Sequence, residues 1–313
     1  IGQLQNLTEL YVDNNQLTTL PDRLFDLTNL TKLSVYNNQL TFPPQEIVDR
    51  GSHAIIAYLR DIYTCRKNAK PRYEAKLVLV GYGRAGKSCL VKHLLGLEPK
   101  TNEDPTAGIE ITPLPPFPHP SLPDTDIQLN AWDFAGQEIE HATHRFFLTD
   151  RSLYLVLWKP REGEEMRQVE YWLQTIALHV PGARVLLVPT YADEGIISHL
   201  NLREMQNRFT EGSNQGHLYI GNIYPVGNIE NQGIEELKKA IAEEAQHLRG
   251  MGEPWSPNAI EAENEMMERN QHDITEDEYV NHCVNHKIRP KDARGYRGQY
   301  CHDLGKILYF SED

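Results

Sequence analysis

The sequence predicts an α/β fold: a mostly parallel sheet flanked by helices, preceded by a short solenoid of repeats and followed by a partial helical region. Three observations predict it. Between residues 73 and 250, β-rich runs alternate with segments of helical apolar spacing, the pattern of a sheet built from strand–helix–strand units. Residues 7–17 and 30–40 carry one pattern twice, 23 residues apart. Beyond Gly250 the chain turns acidic, with helix-start signals and no further alternation.

Composition narrows the function classes. With 313 residues the chain is long enough for two or three domains. Its 40% hydrophobic and 24% charged residues are those of an ordinary soluble protein. A net charge of -13 argues against nucleic-acid binding, which needs a positive surface, and against an anionic membrane surface. No apolar run approaches the roughly 18–20 residues that cross a bilayer. Cys65, Cys89, Cys283 and Cys301 form no CxxC pair, which fits reduced thiols in a cytoplasmic protein. His282, Cys283, His286, Cys301 and His302 match no standard zinc spacing, so ordinary helix and core positions are the preferred reading. The chain starts at Ile1, inside a repeat, and reads as a piece of something longer.

The repeat itself is explicit. Leu7, Leu10, Val12, Asn15 and Leu17 recur as Leu30, Leu33, Val35, Asn38 and Leu40, which resembles the leucine-rich repeat LxxLxLxxNxL. Leu10 and Val12 point inward from a short strand, and Leu7 and Leu17 turn the corners. Asn15 and Asn38 are expected to bond the backbone of the turn. Two copies bury a solenoid core poorly, so more repeats are expected upstream. Glu9, Tyr11, Asp13, Lys32, Ser34 and Tyr36 would form the concave face, either a solvated sheet surface or a face for protein partners. Residues 46–63 then read as one helix, with Ile47, Ile55, Tyr58, Leu59 and Ile62 at helical spacing. The basic stretch 66–72 reads as a linker.

Candidate strands follow at 75–81, 109–113, 126–133, 152–158, 184–189 and 218–226, with helices at 86–95, 141–149, 164–179, 201–209 and 233–248. The proline-rich stretch 112–123 reads as a stiff polyproline-like loop. Past the last of these helices, Ser256 is placed to cap a helix over 257–269. Thr275 and Glu278 form a capping box for a second. A third helix is expected over 291–304 and a strand over 306–310. The domain boundaries are thus 1–45 for the repeats, 46–72 for a capping helix and linker, 73–250 for the α/β domain and 251–313 for the helical region.

Chemistry concentrates in the α/β domain. Gly81-Tyr-Gly-Arg84-Ala85-Gly86-Lys87-Ser88 is a complete Walker A motif between a strand and a helix. Its glycines let successive N–H groups converge on phosphates, and the helix N-terminus adds its positive dipole end. Lys87 bridges β- and γ-phosphates in such a loop, Ser88 offers a hydroxyl to Mg²⁺, and Arg84, Ala85 and Cys89 complete the cradle. Trp132-Asp133-Phe134-Ala135-Gly136-Gln137-Glu138 follows a strand. Asp133 can hold a Mg²⁺-ligand water, Gly136 can present an N–H to the γ-phosphate, and Gln137 can orient the attacking water. This DxxGQ pattern resembles the small GTPases. Thr106, in Asp104-Pro105-Thr106, resembles the switch I threonine that reaches Mg²⁺.

Base-reading signals are weaker. Thr190-Tyr191-Ala192-Asp193 stands where GTPases carry [N/T]KxD, with Tyr191 in place of the usual Lys. Asp193 can accept from guanine N1–H and N2–H₂, and Tyr191 can stack on the base. Gly227 and Asn228 occupy the position of the last base motif. Arg84, Arg145 and Arg151 are candidates for an internal arginine, with surface ion pairs as the default.

Repeats, linker helix, Ras-like domain with WDFAGQ and an acidic helical tail, in that order, resemble the Roco family over essentially the whole chain. Its Ras-like part is Roc, and the region after it is COR, here with 304–310 matching the segment before its later half. The resemblance implies a Ras-like P-loop GTPase domain that binds GTP and GDP with Mg²⁺, a cytoplasmic signalling role and homodimerisation through the later part of COR. Two rivals remain: a nucleotide-binding scaffold with negligible turnover, and a NACHT-type ATPase, in which the repeats usually follow the P-loop domain.

Overall fold

The computed structural model describes residues 4–43, 45–65, 69–99, 109–134, 148–160, 165–210, 216–268 and 274–288, with 301, 302, 304 and 306. The chain divides into two compact units. One joins Ile1–Arg72 to Gly252–His302 and Tyr309–Asp313; the other joins Tyr73–Met251 to Asp303–Leu308.

The second unit is built on a twisted sheet of seven strands: β4 (Glu74–Val80), β5 (Ile109–Pro113), β6 (Phe117–Pro118), β7 (Asp126–Phe134), β8 (Ser152–Trp158), β9 (Ala183–Pro189) and β10 (Leu218–Ile223). Their order is β10-β9-β8-β4-β7-β5. All neighbours are parallel except β5, which runs antiparallel to β7, as does the short β6. Every residue of the central strand β4 is buried. Strand side chains alternate between faces, so Leu77 and Leu79 join one apolar cluster while Val78 and Val80 join the other. Such two-sided burial is what a parallel sheet covered by helices requires.

Helices α3 (Lys87–Leu94), α4 (Glu165–His179), α5 (Leu202–Arg208) and α6 (Ile234–Ala245) provide the cover. From α6, Ile234, Leu237, Ile241 and Ala245 recur at helical spacing and are buried against the first cluster. From α4, Val169, Trp172, Leu173 and Ile176 do the same for the second. Each fully buried Leu or Ile contributes about 1.5–3 kcal/mol of apolar burial. Asn201 caps α5 by accepting a hydrogen bond from the Glu204 N–H at 3.3 Å. Because β4, β7, β8 and β9 are parallel, their C-terminal ends open at one edge, where ligands of such sheets bind.

Leu304 is fully buried in this unit and its carbonyl accepts from Asn130 Nδ2 at 2.8 Å. Lys306 Nζ lies 3.2 Å from Glu74 Oε1. This short segment therefore sits with the sheet, although sequence alone groups it with the helical tail.

In the first unit, β1 (Glu9–Tyr11) and β2 (Lys32–Ser34) pair in parallel at the repeat offset. Asn38 Nδ2 donates to the carbonyls of Val12 and Val35 at 2.9 Å, and its Oδ1 accepts from the Leu17 N–H at 3.0 Å. Asn15 Nδ2 donates to Val12 and Asp13 carbonyls, both at 3.0 Å, as the repeat reading expects. Tyr11 and Tyr36 are exposed.

Several expectations need correction. The single helix over 46–63 is two, α1 (Gln45–Asp49) and α2 (Ser52–Cys65). They are separated by Gly51 at φ 83°, a left-handed turn that glycine adopts without steric cost. The linker 66–72 contains β3 (Lys70–Arg72), which pairs antiparallel with β11 (Glu253–Trp255). Arg72 packs 4.4 Å over the Trp255 ring and 2.6 Å from Glu263; these partners are far off in sequence, so no local pattern announces the strand. The proline-rich stretch is not all loop, since Phe117 is buried and 117–118 add a strand to β7. Strand β10 stops at Ile223, after a register shift, although Tyr224 and Val226 still donate to Leu187 and Pro189 carbonyls. Residues 148 and 149, expected to end a helix, are not helical; the rest of that helix, 141–147, lies outside the described residues, as do 291–300 and most of 306–310.

The tail begins as expected. Ser256 Oγ accepts from the Ala259 N–H at 3.1 Å and starts α7 (Pro257–Glu268). Thr275 and Glu278 form the capping box of α8 (Glu276–Asn285). His282 and Cys283 are buried on α8, with His282 Nε2 2.7 Å from the Ala262 carbonyl oxygen. His286 Nε2 lies 3.1 Å from Glu265 on α7. No described helix is long and apolar enough to cross a membrane.

Candidate nucleotide site

The loop 81–86 leaves β4 at the sheet edge and turns into α3. Gly81 approaches the Leu157 carbonyl of β8 so closely that a Cβ there would overlap it. Gly86, at φ 85°, sits against the side chains of Asn228 and Thr190. Arg84 is exposed and also in the left-handed region, at φ 65°. The loop is wound tightly, its Ala85 N–H donating to the Tyr82 carbonyl at 3.1 Å, and it leads into the N-terminus of α3, whose dipole favours an anion.

Lys87 is buried at the first turn of α3. Its ammonium donates to the carbonyls of Gly81 at 2.9 Å and Tyr82 at 3.3 Å. Burial lowers its pKa below the usual lysine value, and the nearby Asp133 carboxylate partly restores it. Ser88 Oγ donates to Asp133 Oδ2 across the strand–helix gap. Asp133 is itself 3% exposed, near the C-terminal end of β7. The sheet thus carries a carboxylate to a cation and a hydroxyl that lie some 45 positions away in the chain. The paired oxygens of Ser88 and Asp133 are hard donors, the kind Mg²⁺ takes, so the site fits that ion. Thr106, Gly136, Gln137 and Arg145 lie outside the described residues. Arg151 is buried at the opposite end of β8, packed so closely beneath Gly250 that a Cβ there would overlap its guanidinium. It is therefore remote from the phosphate loop, and its candidacy as an internal arginine ends there.

The stretch expected to read the base, 190–193, follows β9. Thr190 is buried, and its backbone N–H and hydroxyl both donate to the Trp158 carbonyl, at 2.9 and 3.1 Å. Tyr191 is left-handed at φ 63°, and its hydroxyl donates to the Arg84 carbonyl at 3.2 Å. Lys159 Nζ stands 3.5 Å over the Tyr191 ring and 3.2 Å from Glu194. Tyr191 therefore joins the loop 81–86 to the stretch 190–193, with a cation on its ring.

Asp193 anchors the loop after β10, a set of contacts that the sequence did not reveal. Its carboxylate accepts from the backbone N–H groups of Asn228 at 2.9 Å, Ile229 at 2.7 Å and Glu230 at 3.2 Å. Burial by itself pushes this carboxyl up, but those three N–H bonds, with one from its own backbone, outweigh it and hold the pKa below the usual value. Gly227 packs against the Asp193 side chain, where a Cβ would stand 3.3 Å from its atoms. Two further residues missed by sequence reasoning are Lys159 and His93. A lysine after a strand and a histidine within an apolar helix have no local signature.

A largely parallel sheet with a Walker A loop after its central strand and a buried Ser–Asp pair beside it is the arrangement of a P-loop nucleotide-binding domain. The family described as "Ras of Complex, Roc, domain of DAPkinase" matches residues 76–193, and the two-copy leucine-rich repeat family matches 5–44. The solved structure of Methanosarcina barkeri Roco2 RocCORdC bound to GDP superimposes with a TM-score of 0.65 at 32% identity, covering 78% of this chain and 71% of that one. Among curated proteins, the probable serine/threonine-protein kinase pats1 of Dictyostelium discoideum is 30% identical over 100% of this chain and 10% of its own length. The leucine-rich repeat serine/threonine-protein kinase 1 of Mus musculus is 32% identical over 61% of this chain, also 10% of its own length. This chain belongs to the Roco family. It spans about a tenth of the length of these two kinases.

Proposed function

We propose that this chain is a GTP-binding and GTP-hydrolysing switch, with repeats at 1–45, capping helices and linker at 46–72, Roc at 73–250 and the start of COR at 251–313. The observation that carries it is the Lys87–Ser88–Asp133 constellation at the C-terminal edge of the sheet. In this reading the phosphate-loop N–H groups and the Lys87 ammonium bind the phosphates. Ser88 and Thr106, with Asp133 through a water, would hold Mg²⁺, which would neutralise phosphate charge. Gln137 orients the water that attacks the γ-phosphorus, and Gly136 offers its N–H to the same phosphate. Thr190, Tyr191, Asp193, Gly227 and Asn228 receive the base, with Tyr191 stacking and Asp193 facing the guanine donors. The relative of known structure was bound to GDP, which supports a guanine nucleotide. A cytoplasmic setting, protein partners on the repeats and a homodimer through the later COR segment belong to the same reading. Equilibrium binding of GTP, GDP, ATP and ADP, followed by phosphate release with the nucleotide that binds, tests it. Preference for adenine nucleotides, or absence of phosphate release with GTP, would overturn it.

A further inference from the structure

Helix α3 carries more than the phosphate residues. Near its C-terminal end, His93 is 3% exposed and faces the loop after β10. His93 Nδ1 lies 2.7 Å from Asn231 Oδ1, and Nε2 lies 3.3 Å from the Asn228 carbonyl oxygen. A neutral imidazole donates from one nitrogen at a time. A half-turn of the Asn231 amide lets the Nε2–H tautomer keep both bonds, donating to Asn228 and accepting from Asn231.

Asp193 holds the N–H groups of Asn228, Ile229 and Glu230, so residues 228–231 are clamped from two sides. Asp193, after β9, takes the donors. His93, on the phosphate-binding helix, takes the carbonyl of Asn228 and the side chain of Asn231. At the start of the same helix, Gly86 abuts the Asn228 side chain. One rigid helix therefore fixes both the phosphate cradle and the loop at the base.

We propose that His93 is a positioning residue: it locks the base-side loop onto the P-loop helix and so sets how long a guanine nucleotide stays bound. This rests on the reading of 190–193 and 227–228 as the base site. A nucleotide held at its phosphates by Lys87 and at its base by this loop leaves only when one of the two gives way. The loop has a carboxylate clamp on one side and the His93 tether on the other, and loss of the tether frees it to open.

Release of a fluorescent GDP analogue from the full chain, chased with excess GDP in Mg²⁺, tests the inference. His93→Ala is expected to speed release about tenfold, the scale of one or two hydrogen bonds, with association changed by less than about twofold. His93→Gln keeps a donor on the same face and is expected to recover most of the loss. Because His93 and Asn231 share one contact, His93→Ala/Asn231→Ala should release no more than about twofold faster than His93→Ala alone. Release from His93→Ala within about twofold of the parent at an unchanged melting temperature overturns the proposal, as does a multiplicative double variant. If His93→Ala fails to fold, Asn231→Ala decides: Asn231 is exposed, and release at least about threefold faster is expected, while an unchanged rate overturns it. If the parent chain binds no guanine nucleotide, the base-site reading and this inference fall together. If it binds and both variants release normally, only the role of His93 falls.

Discussion

In the proposed site, the phosphate end and the base end are built in different ways. At the phosphate end, one continuous segment, 81–88, supplies the loop, the cation and the hydroxyl, and among the described residues one distant side chain, Asp133, joins it. At the base end, pieces of four segments interlock: Lys159 after β8, 190–193 after β9, 227–231 after β10, and His93 from α3. A contiguous motif is fixed by local geometry and is readable as such. A site assembled from four segments tolerates changes of residue type provided the contacts close. Tyr191 in place of a lysine, with Lys159 brought over its ring from another strand, is such a change.

The largest expected effect breaks the phosphate end. Lys87→Ala should cost at least ~2–3 kcal/mol of nucleotide binding, as for a lost hydrogen bond to a charged group, measured by titration with GDP and GTP. Equal affinity in the variant would show that the cradle works without its cation.

Next comes Gln137, which lies outside the described residues and is proposed to orient the attacking water. Gln137→Leu should leave GTP affinity within about twofold and slow single-turnover hydrolysis by at least about tenfold, because orienting water acts on the transition state. A fall in binding with the rate preserved would assign Gln137 to the ground state.

At the base end, Asp193→Asn should lower GTP affinity and raise the XTP/GTP ratio about tenfold, since an amide can donate to the C2 carbonyl of xanthine. The same change puts an NH₂ against backbone N–H groups that the carboxylate now accepts, so both nucleotides should also dissociate faster. The ratio, not the absolute affinity, is therefore the readout. Parallel falls for both nucleotides would leave Asp193 as a loop anchor alone.

A smaller effect separates the ends by pH. Phosphate binding favours charged Lys87, whose pKa burial lowers in the free protein. Nucleotide affinity should be full below that lowered pKa and decline as pH rises through it, at lower pH than an ordinary lysine near ~10.4 would give. Binding measured from about pH 7 to about pH 10 should fall more steeply in the parent than in Lys87→Arg, where only ionisation of the guanine N1–H remains. Asp193 works in the opposite sense. Its folded pKa is depressed, so its contribution to stability is present above the unfolded value and is lost as pH falls through the folded one. Acid should thus release the base loop while Lys87 stays charged. The smallest expected change is Lys159→Ala, a loss of about twofold to threefold in affinity, the scale of an exposed cation on a ring.

The sequence by itself determined what local rules govern. Short apolar runs fixed β4 and β8, glycine and strand–helix context fixed the phosphate loop, the 23-residue offset fixed the Asn15 and Asn38 ladders, and capping chemistry fixed the starts of α7 and α8. Only the tertiary structure decided what depends on distant partners. Strand β3 exists because β11 is there to pair with it. Arg151 is sealed beneath Gly250 and withdrawn from the site. Asp193 and His93 became the two sides of a clamp because the segments after β9 and β10 meet α3 on one side of the sheet. A residue's own type limits which bonds it can make, but the partner that arrives across the fold selects which of them is made.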